Sequence, residues 1–153
     1  MTDLNEKDIE VFIDAIQQYF QQTTREAATI KSVYLIGSVL PIHDFTGLIK
    51  VSVDYTGSIY FSAPRVMMRH LLTSMRENNQ SDENLLDAVG EIVNIISGNA
   101  RRHFGENMAI SVPEKILGIP KPLTQQTRTR PYAIDIKWKK YTAALIVDIA
   151  RLH

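Results

Sequence analysis

Residues 81–106, SDENLLDAVGEIVNIISGNARRHFGE, constrain the fold of this chain more than any other stretch. At about 100° per residue, the apolar side chains of this stretch fall within one broad arc of a helix. Eight residues form that arc: Leu85, Leu86, Val89, Ile92, Val93, Ile96, Ala100 and Phe104. Ser81 is a favourable N-cap, and Asp82 and Glu83 put negative charge at the positive end of the helix dipole. The stretch therefore predicts a long amphipathic helix that covers a hydrophobic core.

A polar stripe lies on the other side of this predicted helix. Four residues form it: Asp87, Glu91, Asn94 and Gly98. Their spacing places them within roughly 60° of one another around the helix axis, and no long basic side chain above or below them neutralises the carboxylates. Asn in a helix interior is roughly 0.5 kcal/mol less favourable than Ala, and Gly is worse. The stripe is therefore either an ordinary solvated face or a surface that offers polar groups, and room beside them, to a partner.

The run Asp87-x3-Glu91-x2-Asn94, within the segment DAVGEIVNIISGNA, resembles the signature helix of the CheC/CheX family of chemotaxis phosphatases. The specific part of the resemblance is E-I-x-N-I-I-x-G, which is most similar to the CheX branch. In element order, the resemblance extends more loosely over most of the chain. The family pattern also places a proline well downstream, for which Pro113 and Pro120 are both candidates.

The resemblance implies that the chain is a protein phosphatase that acts on the aspartyl phosphate of a CheY-like response-regulator receiver domain. It implies that Asn94 positions the hydrolytic water and that Glu91 pairs with the lysine of the receiver. The receiver supplies its own Mg²⁺, so we expect no cofactor or metal bound by this chain. Gly98 would permit close approach of the receiver, while Asp87 would either tune docking or only extend the acidic face.

The same helix is also compatible with a non-catalytic receiver-binding or regulatory adaptor module of the same fold. The carboxamide of Asn94 favours the phosphatase, because simple docking does not require it. The stripe offers three oxygen ligands, too few for a hard cation. No H-E-x-x-H, G-x-S-x-G or P-loop motif occurs, and the four histidines are scattered along the chain. Common hydrolase and metalloenzyme classes are therefore disfavoured.

The composition predicts a single domain spanning residues 1–153, since 44% of the residues are hydrophobic and the length suits one core. Seventeen basic residues balance 17 acidic ones, so we expect neither nucleic acid nor a membrane as partner. There is no cysteine, which is compatible with a reducing compartment. No signal-like leader and no apolar run of about 18 residues is present. We therefore expect a soluble, cytoplasmic protein.

Hydrophobic periodicity predicts the remaining elements. The helices are 6–23, with a capping box at Asn5 and Asp8, and 64–76. The strands are 30–39, 48–55, 58–62, 108–112, 132–138 and 141–149, with a turn at Thr56-Gly57 and one buried face on the strand 48–55. The proline-rich segment 113–131 is expected to be a surface loop with one short strand.

A weak internal repeat relates the first helix to the central one. Aligning Asp14-Ala15 with Asp87-Ala88 sets Gln18 against Glu91 and Gln21 against Asn94, so the first copy lacks the acid and amide pair. Together with the resemblance, this predicts an α+β, CheC-like fold: a pseudo-symmetric, mainly antiparallel six-stranded sheet with long helices on one face. The resemblance also implies one active helix per subunit and a homodimer joined through sheet edges.

Overall fold

The computed structural model describes residues 1–124 and 131–152. This part of the chain contains helices α1 (Glu6–Thr24), α2 (Arg65–Ser74), α3 (Asp82–Phe104) and the short α4 (Lys121–Thr124). Its strands are β1 (Thr2–Asp3), β2 (Thr29–Leu35), β3 (Phe45–Val53), β4 (Tyr55–Ala63), β5 (Met108–Ile110), β6 (Glu114–Leu117), β7 (Tyr132–Trp138) and β8 (Tyr141–Arg151). The three long helices and the terminal hairpin are confirmed.

One antiparallel sheet contains all the strands, and six of them follow the order β2-β7-β8-β4-β3-β5. The first half of the chain supplies α1 and β2 to β4, and the second half supplies α3 and β5 to β8. Strands β2, β3 and β4 of the first half correspond to β5, β7 and β8 of the second. If each strand is replaced by its counterpart, the same strand order is read in the opposite direction. The predicted pseudo-symmetric α+β fold is therefore confirmed. The described residues contain eight strands instead of the predicted six. One addition is β1, which pairs with β8. The other is β6, which pairs with β3 as β5 does and is separated from β5 by residues 111–113.

The long helices cover one face of the sheet and bury the main hydrophobic core between them and the strands. Helix α1 begins with the predicted capping box, in which Asn5 N–H donates to the Asp8 carboxylate (2.9 Å) and Asp8 N–H donates to the Asn5 side chain (3.0 Å). Its buried side chains recur at helical spacing, and each fully buried large one contributes roughly 1.5–3 kcal/mol: Ile9, Phe12, Ile16, Tyr19 and Phe20. No helix in residues 1–124 and 131–152 is long and apolar enough to span a membrane.

Helix α3 lies directly on strand β3 because of Gly47. A Cβ at Gly47 would lie 2.5 Å from the carbonyl oxygen of Val89 and 2.9 Å from Cγ1 of Val93, both on α3. Any larger residue would push the helix away from the sheet, since packed interiors have little spare volume. This close seating fixes the orientation of α3 and therefore of its outer face.

The first hairpin turns at Asp54, two residues earlier than the predicted Thr56-Gly57 turn. Val53 takes the left-handed conformation (φ 78°) that the tight connection requires, and Gly57 lies inside β4. Gly57 is needed there because its backbone has φ 119° and a Cβ would overlap the carbonyl of Asp148 in β8. The glycine thus marks a close approach between strands instead of a turn.

The predicted buried face of residues 48–55 is confirmed at Ile49, Val51 and Tyr55, and Val53 is the exception because it is exposed. The beginning of β3, Phe45 to Leu48, is buried on both faces. A second, smaller hydrophobic cluster lies on the side of the sheet away from the long helices, where the loop 36–44 and the segment 116–123 cover it. Its buried members are Ile36, Leu48, Tyr60, Leu123, Ala133 and Ile146.

Two predicted segments differ in extent from the structure. Strand β2 ends at Leu35 because its partner β7 begins opposite, at Tyr132, so the predicted strand 30–39 is four residues too long. In the predicted loop 113–131, β6 confirms the short strand and α4 is an unpredicted helical turn. Residues 125–130 of that loop lie outside the described residues.

An ion pair fastens α1 to the end of β8. Both guanidinium nitrogens of Arg151 donate to the Asp8 carboxylate, at 2.9 and 3.0 Å. Burial alone would raise the pKa of Asp8, but its bonds to Arg151 and Asn5, with the charges of Arg151 and His103, hold that pKa below its ordinary value of 3.8. The carboxylate is only 4% exposed. It remains charged in the interior because its partners are fixed around it.

Candidate functional site

The polar stripe of α3 faces outward, as predicted. The side chains of Asp87, Glu91 and Asn94 are exposed and Gly98 is partly exposed. The apolar arc is turned into the core, where its central members are almost completely buried: Leu85, Val89, Ile92, Val93 and Ile96. The helix therefore presents four neighbouring positions to solvent on a rigid, well-packed element.

Asn94 stands apart from other side chains on its side of the helix. The residues one turn before and one turn after it are Gly90 and Gly98, and a Cβ at Gly98 would meet nothing within 4 Å. Within residues 1–124 and 131–152, the Asn94 side chain has no hydrogen-bond partner. Both its NH₂ donor and its carbonyl acceptor are therefore available to one external water.

Glu91 also has no hydrogen-bonded or ion-paired partner within the described ranges 1–124 and 131–152. The buried Tyr19 of α1 lies close enough to interact electrostatically with Glu91. Burial strongly raises the pKa of the Tyr19 phenol and the negative charge of Glu91 raises it further, against a smaller effect of a hydrogen bond with Thr23. Tyr19 therefore stays neutral beside Glu91.

A groove of about 250 Å³ runs beside Glu91, where α1, α2 and α3 meet. Its floor is apolar and its rim carries three carboxylates. The lining residues are Tyr19, Leu72, Met75, Glu77, Asn84, Asp87, Ala88, Glu91 and Ile92. The sequence does not predict this groove because its walls come from three separate elements.

Asp87 is ion-paired, which corrects the expectation that no basic side chain neutralises the stripe. Lys115 of β6 reaches across α3, and its Nζ lies 2.6 Å from Oδ1 of Asp87. The lysine lies 28 residues away in sequence, so helix periodicity does not reveal it. The stripe thus contains one paired carboxylate, Asp87, and one unpaired carboxylate, Glu91.

Gly90 is the residue that makes room for Lys115. A Cβ at Gly90 would lie 2.8 Å from Cγ and 3.0 Å from Cδ of Lys115, and 3.6 Å from Cβ of Pro113. Gly90 is buried under these side chains, so the two glycines of α3 differ: Gly90 accommodates the protein's own β6, and Gly98 faces open space. A mid-helix glycine was the one sequence signal of this contact.

The chemistry of the stripe is that of positioning. An unpaired carboxamide and an unpaired carboxylate lie three residues apart on one rigid helix, and neither requires proton transfer to bind a water or a cation. Within the described residues, no group of three or more His, Asp or Glu side chains is placed to hold a metal ion.

The sequence matches a family model described as chemotaxis phosphatase CheX over residues 45–137. No curated protein sequence matches the chain at a significant level.

Solved structures share the fold at low sequence identity. A CheX from Desulfovibrio desulfuricans superposes with a TM-score of 0.82 at 18% identity, covering 94% of this chain and 99% of that one. A CheC-like superfamily protein from Shewanella sp. PV-4 gives 0.81 at 18% identity, over 96% and 99% of the two chains. The CheX in a CheX–CheY–BeF₃–Mg²⁺ complex from Borrelia burgdorferi gives 0.73 at 16% identity, over 94% and 97%.

Proposed function

Because this chain belongs to the CheX family of chemotaxis phosphatases, we propose that it hydrolyses the aspartyl phosphate of a CheY-like response-regulator receiver domain. The observation that carries the proposal is the pair of exposed, unpartnered side chains Glu91 and Asn94 on one face of α3. The CheX of a structural neighbour is bound to CheY with BeF₃ and Mg²⁺, which supports a receiver as the partner of this fold.

The proposed reaction needs little chemistry from this chain. A water oxygen attacks phosphorus, the bond between phosphorus and the aspartyl oxygen breaks, and the products are the aspartate carboxylate and inorganic phosphate. The transition state is loose, so an attacking water needs alignment more than deprotonation. The Mg²⁺ that neutralises the phosphoryl oxygens belongs to the receiver, and no cofactor of this chain takes part.

Asn94 holds the attacking water in line with the breaking bond. Its carbonyl accepts a hydrogen bond from the water and its NH₂ donates one, which fixes both the place and the orientation of a single molecule. Gly98, one turn further along the same row, leaves space for the receiver beside that amide.

Glu91 docks the receiver by pairing with its lysine ammonium. The pair forms away from bulk water when the two surfaces meet, and it fixes where along α3 the phosphate-bearing pocket lies. Asp87 and Gly98 belong to the same docking surface: Asp87 lies at its N-terminal end with its charge paired to Lys115, and Gly98 permits close backbone approach.

The test is a dephosphorylation assay. A CheY-like receiver is phosphorylated with acetyl phosphate and Mg²⁺, excess donor is removed, and loss of the phosphoryl group is followed with and without this protein. Aligning the water should accelerate hydrolysis at least about 100-fold. Binding to the phosphorylated receiver without any acceleration would identify the protein as an adaptor of the same fold instead.

We also propose that the protein is a homodimer joined through the edge strand β2. Within the described residues, β2 pairs only with β7, and its Val33 and Leu35 are 41% and 43% exposed. Open edges of this kind add strands readily. Light scattering of the purified protein measures the mass directly, and a monomer across micromolar concentrations would contradict the proposal.

A further inference from the structure

Two carboxylates one turn apart are equivalent in principle as partners for one receiver lysine. Asp87 and Glu91 are both exposed on the stripe, and a helix rises about 5.4 Å per turn. A receiver held by Asp87 would therefore sit about one turn from the position that brings its phosphoryl group to Asn94. A shift of even about 1 Å can reduce a positioned reaction about 100-fold, so that complex would be non-productive.

The two carboxylates have different surroundings in the structure. Lys115 holds Asp87 at 2.6 Å, while Glu91 has no partner within residues 1–124 and 131–152. The lysine stem lies in the space left by Gly90, which a Cβ would fill. This packing places the lysine stem beside Asp87, so less conformational freedom is lost when the two side chains pair.

We propose that Lys115 is a positioning residue that sets the docking register: by occupying Asp87, it leaves Glu91 as the carboxylate that receives the partner's lysine. This inference rests on the proposed function. It also gives a reason for glycine at position 90: a better helix former would stabilise the helix, but its Cβ would displace the lysine stem.

The kinetic test is Lys115→Met, which keeps an apolar stem over Gly90 and removes the charge. Freed Asp87 then competes for the receiver, and non-productive binding lowers kcat and KM by the same factor. With equal affinity at the two carboxylates that factor is about two, and kcat/KM stays unchanged. Adding Asp87→Asn removes the competitor and should restore both constants.

Lys50→Met is the matched control. Lys50 is also an exposed strand lysine in a surface ion pair, 3.7 Å from Glu114, so its loss changes the net charge equally. We expect both kinetic constants to remain at the wild-type value in this variant. A fall in kcat/KM of Lys115→Met that Asp87→Asn does not reverse would overturn the inference, as would unchanged kcat and KM.

A binding test gives a larger signal. Glu91→Gln should weaken binding to a receiver carrying beryllofluoride and Mg²⁺, and adding Lys115→Met should restore binding through Asp87 without restoring turnover. If binding does not recover, Lys115 does not control the choice of carboxylate. Equal thermal unfolding midpoints of the variants exclude a change in fold as the cause.

The two proposals fail in different ways. If the wild-type protein does not accelerate receiver dephosphorylation, the proposed function is wrong. If the wild type is active and the Lys115 variants behave like Lys50→Met, only the register inference is wrong.

Discussion

Helices α1 and α3 occupy corresponding places in the two halves of the fold, yet only α3 has the features of a site. Both expose a polar row, with Asp14, Gln18 and Gln21 on α1 at the spacing of Asp87, Glu91 and Asn94 on α3. Exposure and spacing are therefore shared. What differs is the chemistry and the surroundings of the row.

The surroundings differ because the two helices meet the sheet differently. Helix α3 lies on β3 through Gly47 and receives Lys115 from β6. Helix α1 reaches its neighbours through large side chains, with Phe12 against Phe104 and Phe20 against Trp138. On its outer row, Gln17 and Arg25 stand where α3 has Gly90 and Gly98. The amide on the row of α3 thus has open space at Gly98, one turn after it, and a glycine covered by Lys115 one turn before it.

The sharpest test of this difference compares Asn94→Ala with Gln21→Ala. The first variant should lose at least about 100-fold in receiver dephosphorylation because the water is no longer aligned, while binding to the phosphorylated receiver survives. The second removes the corresponding amide of α1 and should leave the rate unchanged. Equal rates for the two variants would remove the distinction between the helices.

The N-termini of α1 and α3 differ in how deeply the carboxylate of an ion pair is buried. Each has a carboxylate paired with arginine: Asp8, whose side chain is 4% exposed, pairs with Arg151, and Asp82, whose side chain is 54% exposed, pairs with Arg65. Asp8→Asn should lower the free energy of unfolding by about 2 kcal/mol, because it removes the buried charge that pairs with the half-buried Arg151 guanidinium. Asp82→Asn should change it far less, since exposed pairs contribute little. Urea denaturation measures both.

The Asp8 carboxylate should make the free energy of unfolding decrease at low pH. Because folding lowers the pKa of Asp8 below 3.8, its contribution to stability is complete above that value and is lost as the pH falls through the lower folded pKa. Unfolding free energies measured from pH 6 downward should fall less steeply in Asp8→Asn than in the wild type. Parallel curves would show that Asp8 is not responsible.

The carboxylates of Glu91 on α3 and Asp14 on α1 should differ in their importance for receiver binding. Glu91→Lys should weaken binding to the receiver about tenfold or more, since a repulsive pair replaces an attractive one at a fixed register. Asp14→Lys makes the same charge change on α1 and should have only a small, salt-sensitive effect. Titration of a receiver carrying beryllofluoride compares the two, and equal losses would mean that overall charge alone governs docking.

The smallest effect separates the two glycines of α3. Gly98→Ala should raise the free energy of unfolding by up to about 1 kcal/mol, because the new Cβ meets open space and alanine favours helix. It should also weaken receiver binding, since Gly98 faces the partner. Gly90→Ala should lower stability instead, because Lys115 must move. If both substitutions raised the free energy of unfolding, or both lowered it, the two glycines would not have the different surroundings described here.

The sequence alone predicts the helices, the terminal hairpin and the outward row of α3 because these depend on local periodicity, as the apolar arc from Leu85 to Phe104 shows. It places the first hairpin turn wrongly, since glycine is taken as a turn signal, whereas Gly57 is required by the carbonyl of Asp148 in a strand 91 positions later. Local patterns contain no information about that neighbour.

The same limit applies to the site. Glu91 and Asn94 are identified from spacing and resemblance, but the ion pair of Asp87 with Lys115 depends on strand β6 returning beside the helix. The groove beside Glu91 likewise needs Tyr19 and Leu72 from two other helices. Side chains on one helix can be predicted together, and those that the topology assembles cannot.

The strand order has a consequence for how the molecule is made. Strand β2 pairs with β7, and β4 pairs with β8, so strands synthesised early must wait for the C-terminal hairpin before the sheet closes. Neither half closes the sheet by itself, and a ribosome-bound chain lacking β7 and β8 leaves β2 without its partner and one side of β4 open. The protein should therefore become competent in a single late step instead of half by half.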